Sequence, residues 1–230
     1  MQRNEMFPFV YSAKEGYDKI APFYDSWHWQ SFWKDNELPI LNRWCDKLKI
    51  GYGADLGTGS GNSLYRFLEK GHRIDAYDIS PNMLRICKIK HLKYILSEHL
   101  TCYNCDVRFM YYLPKRYDWI ICNRMLSNVS DIEDVVRVIG KLLKRNGKCF
   151  ISDVHPDHKY LFTHLNVLNY NVYIETYKHS IEKLINLFWR QGFELEGFKK
   201  YVMEDLYPTV GVRQYSPKEP IFYVLELRKY

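Results

Sequence analysis

The residues in this chain whose types and spacing could do chemistry begin with a glycine loop. Residues 54–62 read ADLGTGSGN, with Gly57, Gly59 and Gly61 in a G-x-G-x-G spacing. Glycines there let the backbone turn sharply and approach a ligand with no Cβ in the way. A dinucleotide fingerprint needs G-x-G-x-x-G, and position 62 holds Asn62 instead. A phosphate-cradling loop would need G-K-S/T, which is absent. Asp55, two residues ahead of Gly57, would repel a polyanion and suits a ligand carrying an ammonium group. Asp78, in IDAYDIS, follows Gly57 by 21 positions, the distance at which an acid can accept hydrogen bonds from ribose hydroxyls. Asp106, in NCDV, can accept from an exocyclic amino group of adenine while Val107 packs on the ring. Further on, ISDVHPDH (151–158) places Asp153 and His155 two apart, on one side of a continuing strand. His155 has the titration range of a general base, and Asp153 could orient it or bind a second molecule. The alternative for His155 is a turn residue that bonds its own loop. Cys102 and Cys105 form a C-x-x-C with no second ligand pair at suitable spacing, so no metal is expected. His91, His99, His158, His164 and His179 show no partner pattern and read as surface or loop residues.

The elements that must position these groups alternate. Residues 12–47 read as two or three helical pieces. Strands are expected at 51–57, 73–79, 100–107, 117–126 and 147–156, and helices at 62–71, 80–90, 131–147 and 181–193. Ser80 with Pro81 opens one helix, and Ser130 or Asp131 caps another. Two strands, 194–202 and 221–230, close the chain with only a loop (203–220) between them, so they can pair antiparallel. Residues 157–180 read as a second long loop. Strand–helix alternation implies a parallel, doubly wound α/β sheet with ligands beyond the carboxyl ends of its strands. A length of 230 residues suits one domain, here 1–230, divided into a helical lid (1–47), a half carrying the glycine loop (48–156) and a second half (157–230).

Taken together, ADLGTGSGN, the acid in AYDISPNML, NCDV, YDWIICNRMLSNVSD and LLKRNGKCFISDVHP resemble a class I S-adenosylmethionine-dependent methyltransferase, in the small-molecule branch that includes ubiquinone- and menaquinone-biosynthesis enzymes. The resemblance is strong over 12–156 and topological beyond. It implies a Rossmann-like three-layer sandwich with a seven-stranded, mostly parallel sheet whose last strand is antiparallel. It implies S-adenosyl-L-methionine as cofactor and S-adenosyl-L-homocysteine as product. Asp55, Gly57, Gly59 and Gly61 would then hold the methionine part, Asp78 and Ile79 the ribose, and Asp106 and Val107 the adenine. Met83 joins the cofactor set, and Asn123 would face the methionine end. The segment YDKIAPFYDSWHWQSFW (17–33) resembles the family's N-terminal lid. Tyr17 and Tyr24, seven apart on one helical face, would cover the sulfonium, to which aromatic faces are attracted.

The acceptor would lie against Trp29, Trp33, Tyr160 and Arg213, with His155 and Asp153 as the catalytic pair. Aromatic residues reach 17% of the chain, enough to line such a pocket. The expected reaction is in-line methyl transfer to oxygen, nitrogen or carbon of a small molecule; the alternative is a peptide or tRNA methyltransferase of the same fold. A base-flipping enzyme would carry prolines after Asn123, where Arg124, Met125 and Leu126 stand, and a net charge of +6 spread along the chain is no nucleic-acid stripe. A non-enzymatic relative would show a damaged loop or missing acids. Nucleic-acid and membrane partners are therefore not expected. The chain reads as cytoplasmic, and as a monomer or homodimer.

Overall fold

The computed structural model describes residues 9–110, 116–168, 170–212 and 215–230. After a short strand β1 (Val10–Tyr11) come three helices, α1 (Ala13–Tyr24), α2 (His28–Asn36) and α3 (Leu38–Lys47). The alternating section follows: β2 (Tyr52–Leu56), α4 (Tyr65–Glu69), β3 (Arg73–Asp78), α5 (Pro81–Lys90), α6 (Leu92–Leu96), β4 (Leu100–Asn104), β5 (Tyr117–Asn123), α7 (Ile132–Leu142) and β6 (Leu143–Val154). A hairpin, β7 (Thr163–Val167) and β8 (Tyr170–Ile174), precedes α8 (Ile181–Arg190), β9 (Phe193–Val202) and β10 (Pro220–Lys229).

Seven strands form one sheet in the order β4-β3-β2-β5-β6-β10-β9. The pairs from β4 to β6 are parallel, and β10 runs antiparallel to both its neighbours. This is the Rossmann-like, mostly parallel sheet with an antiparallel last strand that the sequence led us to expect. Both faces are covered, which is why the middle of β5, residues 119–122, is apolar. Ile120 and Cys122 join Ala54 and Leu56 under α7 and α8, through Val135, Ile139, Leu184 and Phe188. Trp119 and Ile121 join Ile74, Ala76 and Phe150 under α2, α3 and α4, through Phe32, Trp44 and Phe67. The chain order reverses direction between β2 and β5, so the crevice opens at their carboxyl ends.

Several elements differ from the sequence expectation. The stretch 157–180 is not a plain loop: β7 and β8 pair antiparallel, and β1 adds to β8 in parallel. This small sheet packs Leu165, Val167, Val172 and Ile174 on Ile20 of α1. Gly16 permits that contact, since a Cβ there would lie 2.4 Å from Ile174. Helix α7 ends at Leu142 rather than 147, because Leu143 is fully buried and pairs with Tyr117 in extended form. Tertiary burial overrides the helical preference of LKR there. Helix α4 keeps only Tyr65–Glu69 of the expected 62–71, and α8 stops at Arg190. Strand β4 ends at Asn104 and β5 at Asn123, both short of the expected ends. Ser80 and Asp131 do cap their helices, accepting from Met83 N and Glu133 N. Among the described residues no helix is long and apolar enough to cross a membrane.

Candidate functional site

A cavity of about 290 Å³ lies at the carboxyl ends of β2, β3 and β5. Its wall includes Gly57, Thr58 and Gly59 of the loop, Asp78, Ile79 and Met83, Asp106, Val107 and Arg108, Asn123, and Tyr17 and Tyr24 from α1. The loop is fastened to β3: Gly57 N and Thr58 N both donate to Tyr77 O, at 2.8 and 2.9 Å. Asp78 completes the clamp, its two oxygens accepting from Gly59 N at 2.7 Å and Ser80 N at 2.8 Å. Burial pushes the Asp78 carboxyl up to about 6 despite these amides. Asn123 accepts from the Ser152 hydroxyl at 3.0 Å, while its buried Nδ2 finds no acceptor among the described residues. A buried donor left unmatched by protein is what a ligand acceptor would satisfy.

Two expected cofactor residues turn inward instead of onto this wall. Asp55 is buried beneath the loop, where Oδ2 accepts from the hydroxyls of Thr58 and Ser63, both at 2.8 Å. Burial raises its carboxyl to about 6, the Ser63 and Thr58 hydroxyls working against that rise. Asp55 therefore shapes the loop. Gly61 faces α5: a Cβ would stand 2.7 Å from Cys87 Sγ and 2.9 Å from His91 Nε2, which pairs with Gly61 O. His91, expected at the surface, is fully buried in that packing. Asp106 does reach the cavity, but its carboxylate is held by the Arg108 guanidinium, with Nη2 at 2.6 Å. It also caps the turn Val107–Phe109.

Helix α1 is pinned over the loop. Asp25 accepts from Ser60 Oγ at 2.6 Å and Asn62 Nδ2 at 3.0 Å, and pairs with Lys90 at 2.9 Å. Asp18 accepts from Ser80 Oγ at 2.5 Å and Asn82 N at 3.1 Å. Although burial opposes it, the Ser60 and Lys90 contacts hold the Asp25 carboxyl below its ordinary value. The rings of Tyr17 and Tyr24 meet edge to face, 6.0 Å between centroids, and line this cavity and a second one.

The second cavity, about 240 Å³, is aromatic. Trp27, Trp29, Trp33, Tyr160, Phe162 and Tyr215 line it, so the expected Trp29, Trp33 and Tyr160 do come together. Arg213 lies outside the described residues. Tyr17, Tyr24, Arg124 and Asn128 border both cavities and form the seam between them.

The expected Asp153–His155 pair is not formed. Strand β6 ends at Val154, His155 N donates to Ile221 O in register with the β6–β10 ladder, and His155 lines neither cavity. His155 Nδ1 accepts from Asp157 N at 3.2 Å, the behaviour of a turn residue before Pro156. Asp153 is 1% exposed and accepts from Ser127 N and Val154 N at 2.8 and 2.7 Å. It fastens the segment after β5, and burial raises its carboxyl to about 6.

Among the wall residues that the sequence did not single out, His158 and Arg124 bear most on the chemistry. His158, read as surface, is 3% exposed and lines the second cavity, its Nδ1 3.3 Å from Glu219 Oε1. Burial lowers its pKa and Glu219 partly restores it. Lys159 N fixes Glu219 at 2.9 Å. The partner stands 61 positions away, so no local spacing announced it. Arg124 follows β5 at φ +53°, a conformation side chains rarely adopt. Its Nε sits 2.9 Å from Glu37 Oε2, and its guanidinium lies 5.2 Å from the Trp33 ring. The missing prolines after Asn123 had drawn attention to this position without explaining it.

Residues 54–149 match a family model described as a methyltransferase domain. A ubiquinone biosynthesis O-methyltransferase of Coxiella burnetii is 24% identical over 158 residues, 65% of this chain. That match spans 66% of the relative's own length. Magnesium protoporphyrin IX methyltransferase of Synechocystis PCC 6803, solved with S-adenosylhomocysteine, superposes with a TM-score of 0.64 at 15% identity, covering 94% of this chain and 100% of that one. The [4+2]-cyclase SpnF superposes with a TM-score of 0.71 at 14% identity, covering 96% and 97%. At such identities the structural likeness is one of fold.

Proposed function

We propose that this chain, which carries a methyltransferase domain of the S-adenosylmethionine-dependent, Rossmann-like class, moves a methyl group from S-adenosyl-L-methionine to a small planar acceptor. The observation that carries the reading is the pair of cavities joined at one seam: a polar cleft with the strand-end acid Asp78, and an aromatic box, meeting at Tyr17, Tyr24, Arg124 and Asn128. The cleft fits the cofactor through the chemistry of its donors and acceptors. Asp78 would accept from the ribose hydroxyls, with Ile79, Met83 and Val107 against the rings. Gly57 and Gly59 would admit the amino-acid end, toward which the unmatched Asn123 amide would donate. Asp106, already engaged by Arg108, would accept one further hydrogen bond from adenine.

When bound, the cofactor supplies a methyl carbon on a cationic sulfur, open to in-line displacement. The protein's part is alignment and exclusion of water. Tyr17 and Tyr24 would cover the seam, their ring faces favouring positive charge. Trp29, Trp33 and Tyr160 would flank the acceptor. Where that acceptor carries a hydroxyl, His158 is the base its position favours, with Glu219 holding Nδ1 so that Nε2 is left to take the proton. The chain would work as one domain, with residues 1–47 as lid, 48–156 holding cofactor and 157–230 facing substrate. It would act in the cytoplasm as a monomer or homodimer and release S-adenosyl-L-homocysteine.

Calorimetry with S-adenosylhomocysteine and with NAD tests the reading. Micromolar or tighter binding of the first and none of the second is expected. Binding of NAD, or no binding of S-adenosylhomocysteine, would refute it.

A further inference from the structure

The second cavity has a one-sided charge. Among the described residues its wall contains no aspartate or glutamate, and Arg124 is its permanent cation. Glu37, the ion-pair partner of Arg124, lines neither cavity. It sits behind the guanidinium at 3% exposure, one oxygen facing Arg124 Nε and the other accepting from Ser152 Oγ at 2.6 Å. The ion pair is closest at Nε, and among the described residues neither Nε nor the terminal nitrogens, Nη1 and Nη2, make a hydrogen bond. Trp33 backs one face of the guanidinium. Its planar fork is suited to two parallel hydrogen bonds to a carboxylate. The left-handed backbone at Arg124 is held by the surrounding structure, Arg124 N donating to Ser152 O at 2.7 Å.

We propose that Arg124 selects the acceptor: the second cavity takes a planar, aromatic acid whose carboxylate is gripped by the Arg124 terminal nitrogens, with its ring among Trp29, Trp33 and Tyr160. This rests on the reading of the second cavity as the acceptor site. Placing an anion beside the seam also sets negative charge near a cationic sulfur, an attraction that strengthens in a dry site. The first cavity differs, since Asp78, Asp106 and Glu175 line it. A cofactor carboxylate reaching Arg124 is the competing source of the same chemistry.

The test uses the full chain saturated with S-adenosylhomocysteine, following tryptophan emission while 2-naphthoate or its neutral counterpart 2-naphthamide is added. Naphthoate is expected to bind about tenfold or more tighter than the amide, as a charge-assisted pair implies. Arg124→Gln should abolish that preference and leave S-adenosylhomocysteine affinity within about threefold. Glu37→Gln, which removes the neutralising partner, should enlarge the preference. That variant also keeps the proposal open to test if Arg124→Gln does not fold. The proposal is overturned if the wild-type chain shows no preference for the acid, including no binding of either probe. It is equally overturned if the preference survives Arg124→Gln. A third refuting result is loss of S-adenosylhomocysteine affinity in Arg124→Gln with methylthioadenosine affinity intact, which would assign the fork to the cofactor. Failure of the wild-type chain to bind S-adenosylhomocysteine at all would instead sink the functional reading itself.

Discussion

Asp78 offers the sharpest test of the cofactor site. Both its oxygens already accept one backbone amide, from Gly59 and Ser80, and the residue lines the first cavity. A hydroxyl donating to a carboxylate contributes about 1.5–3 kcal/mol. Two ribose hydroxyls therefore amount to about 3–6 kcal/mol, and at about 1.4 kcal/mol per tenfold, Asp78→Ala should weaken S-adenosylhomocysteine by two to four orders of magnitude. Asp78→Asn keeps one acceptor oxygen and should lose about one order less. Part of the alanine effect would come from a disordered loop, because Gly59 N and Ser80 N lose their acceptor. The cycle that separates the two uses a ligand lacking one hydroxyl, the 2′-deoxy analogue of S-adenosylhomocysteine, measured by calorimetry on both proteins. Removing the hydroxyl should cost the wild-type chain about tenfold or more and cost Asp78→Ala almost nothing. If the two losses simply add, Asp78 does not touch the ribose and only props the loop.

The same carboxylate sets a pH dependence. Burial raises Asp78 to about 6, hydroxyl donors favour its ionised form, and so affinity for S-adenosylhomocysteine should fall about tenfold per pH unit below 6 and level off above it; a flat profile from pH 5 to 7 would contradict the assignment. His158→Ala should abolish turnover of a hydroxyl acceptor while His155→Ala leaves it largely intact, and Glu219→Gln should lower the His158 imidazole pKa seen by NMR, since Glu219 raises it. Gly57→Ala places a Cβ at φ +75° and 2.5 Å from the Met125 side chain, so it should cost roughly 1–3 kcal/mol and lower Tm by several degrees in a thermal melt.

The parts of this site that were legible in the sequence share one property: their position follows from the strand they end. Alternation of strands and helices puts the tips of β2 and β3 side by side, and Asp78 and the loop glycines inherit that placement from chain order alone. Tyr17 and Tyr24 were legible for a similar reason, because a helical period fixes which residues share a face. Even within this group the sequence could not say which way a side chain faces the ligand. Asp55 and Asp78 are both strand-end acids beside one loop, yet only Asp78 lines the cavity, since Asp55 is consumed by Thr58 and Ser63.

The wall of the second cavity was legible only in part, through Trp29, Trp33 and Tyr160, because no single segment owns it. It draws on 17–33, Arg124, His158–Thr163, Tyr215 and Ile221. Those pieces converge only once β7 and β8 fold back on α1. A local cue for that hairpin existed: apolar Leu165 and Val167 alternate with polar neighbours, as do Val172 and Ile174, across a short connection. The base assignment depended on assuming that β6 runs straight past Asp153. It ends one residue later, at Val154, and the turn at Pro156, closed by His158 N donating to His155 O, redirects the chain. That turn carries His158 to the cavity wall, where Glu219, from just before β10, meets it. The last strand runs antiparallel beside β6, so the residue preceding β10 lies next to the end of β6. The antiparallel β10 thus does more than complete the sheet: it places the Glu219 carboxylate 3.3 Å from Nδ1 of His158, on the wall of the aromatic cavity.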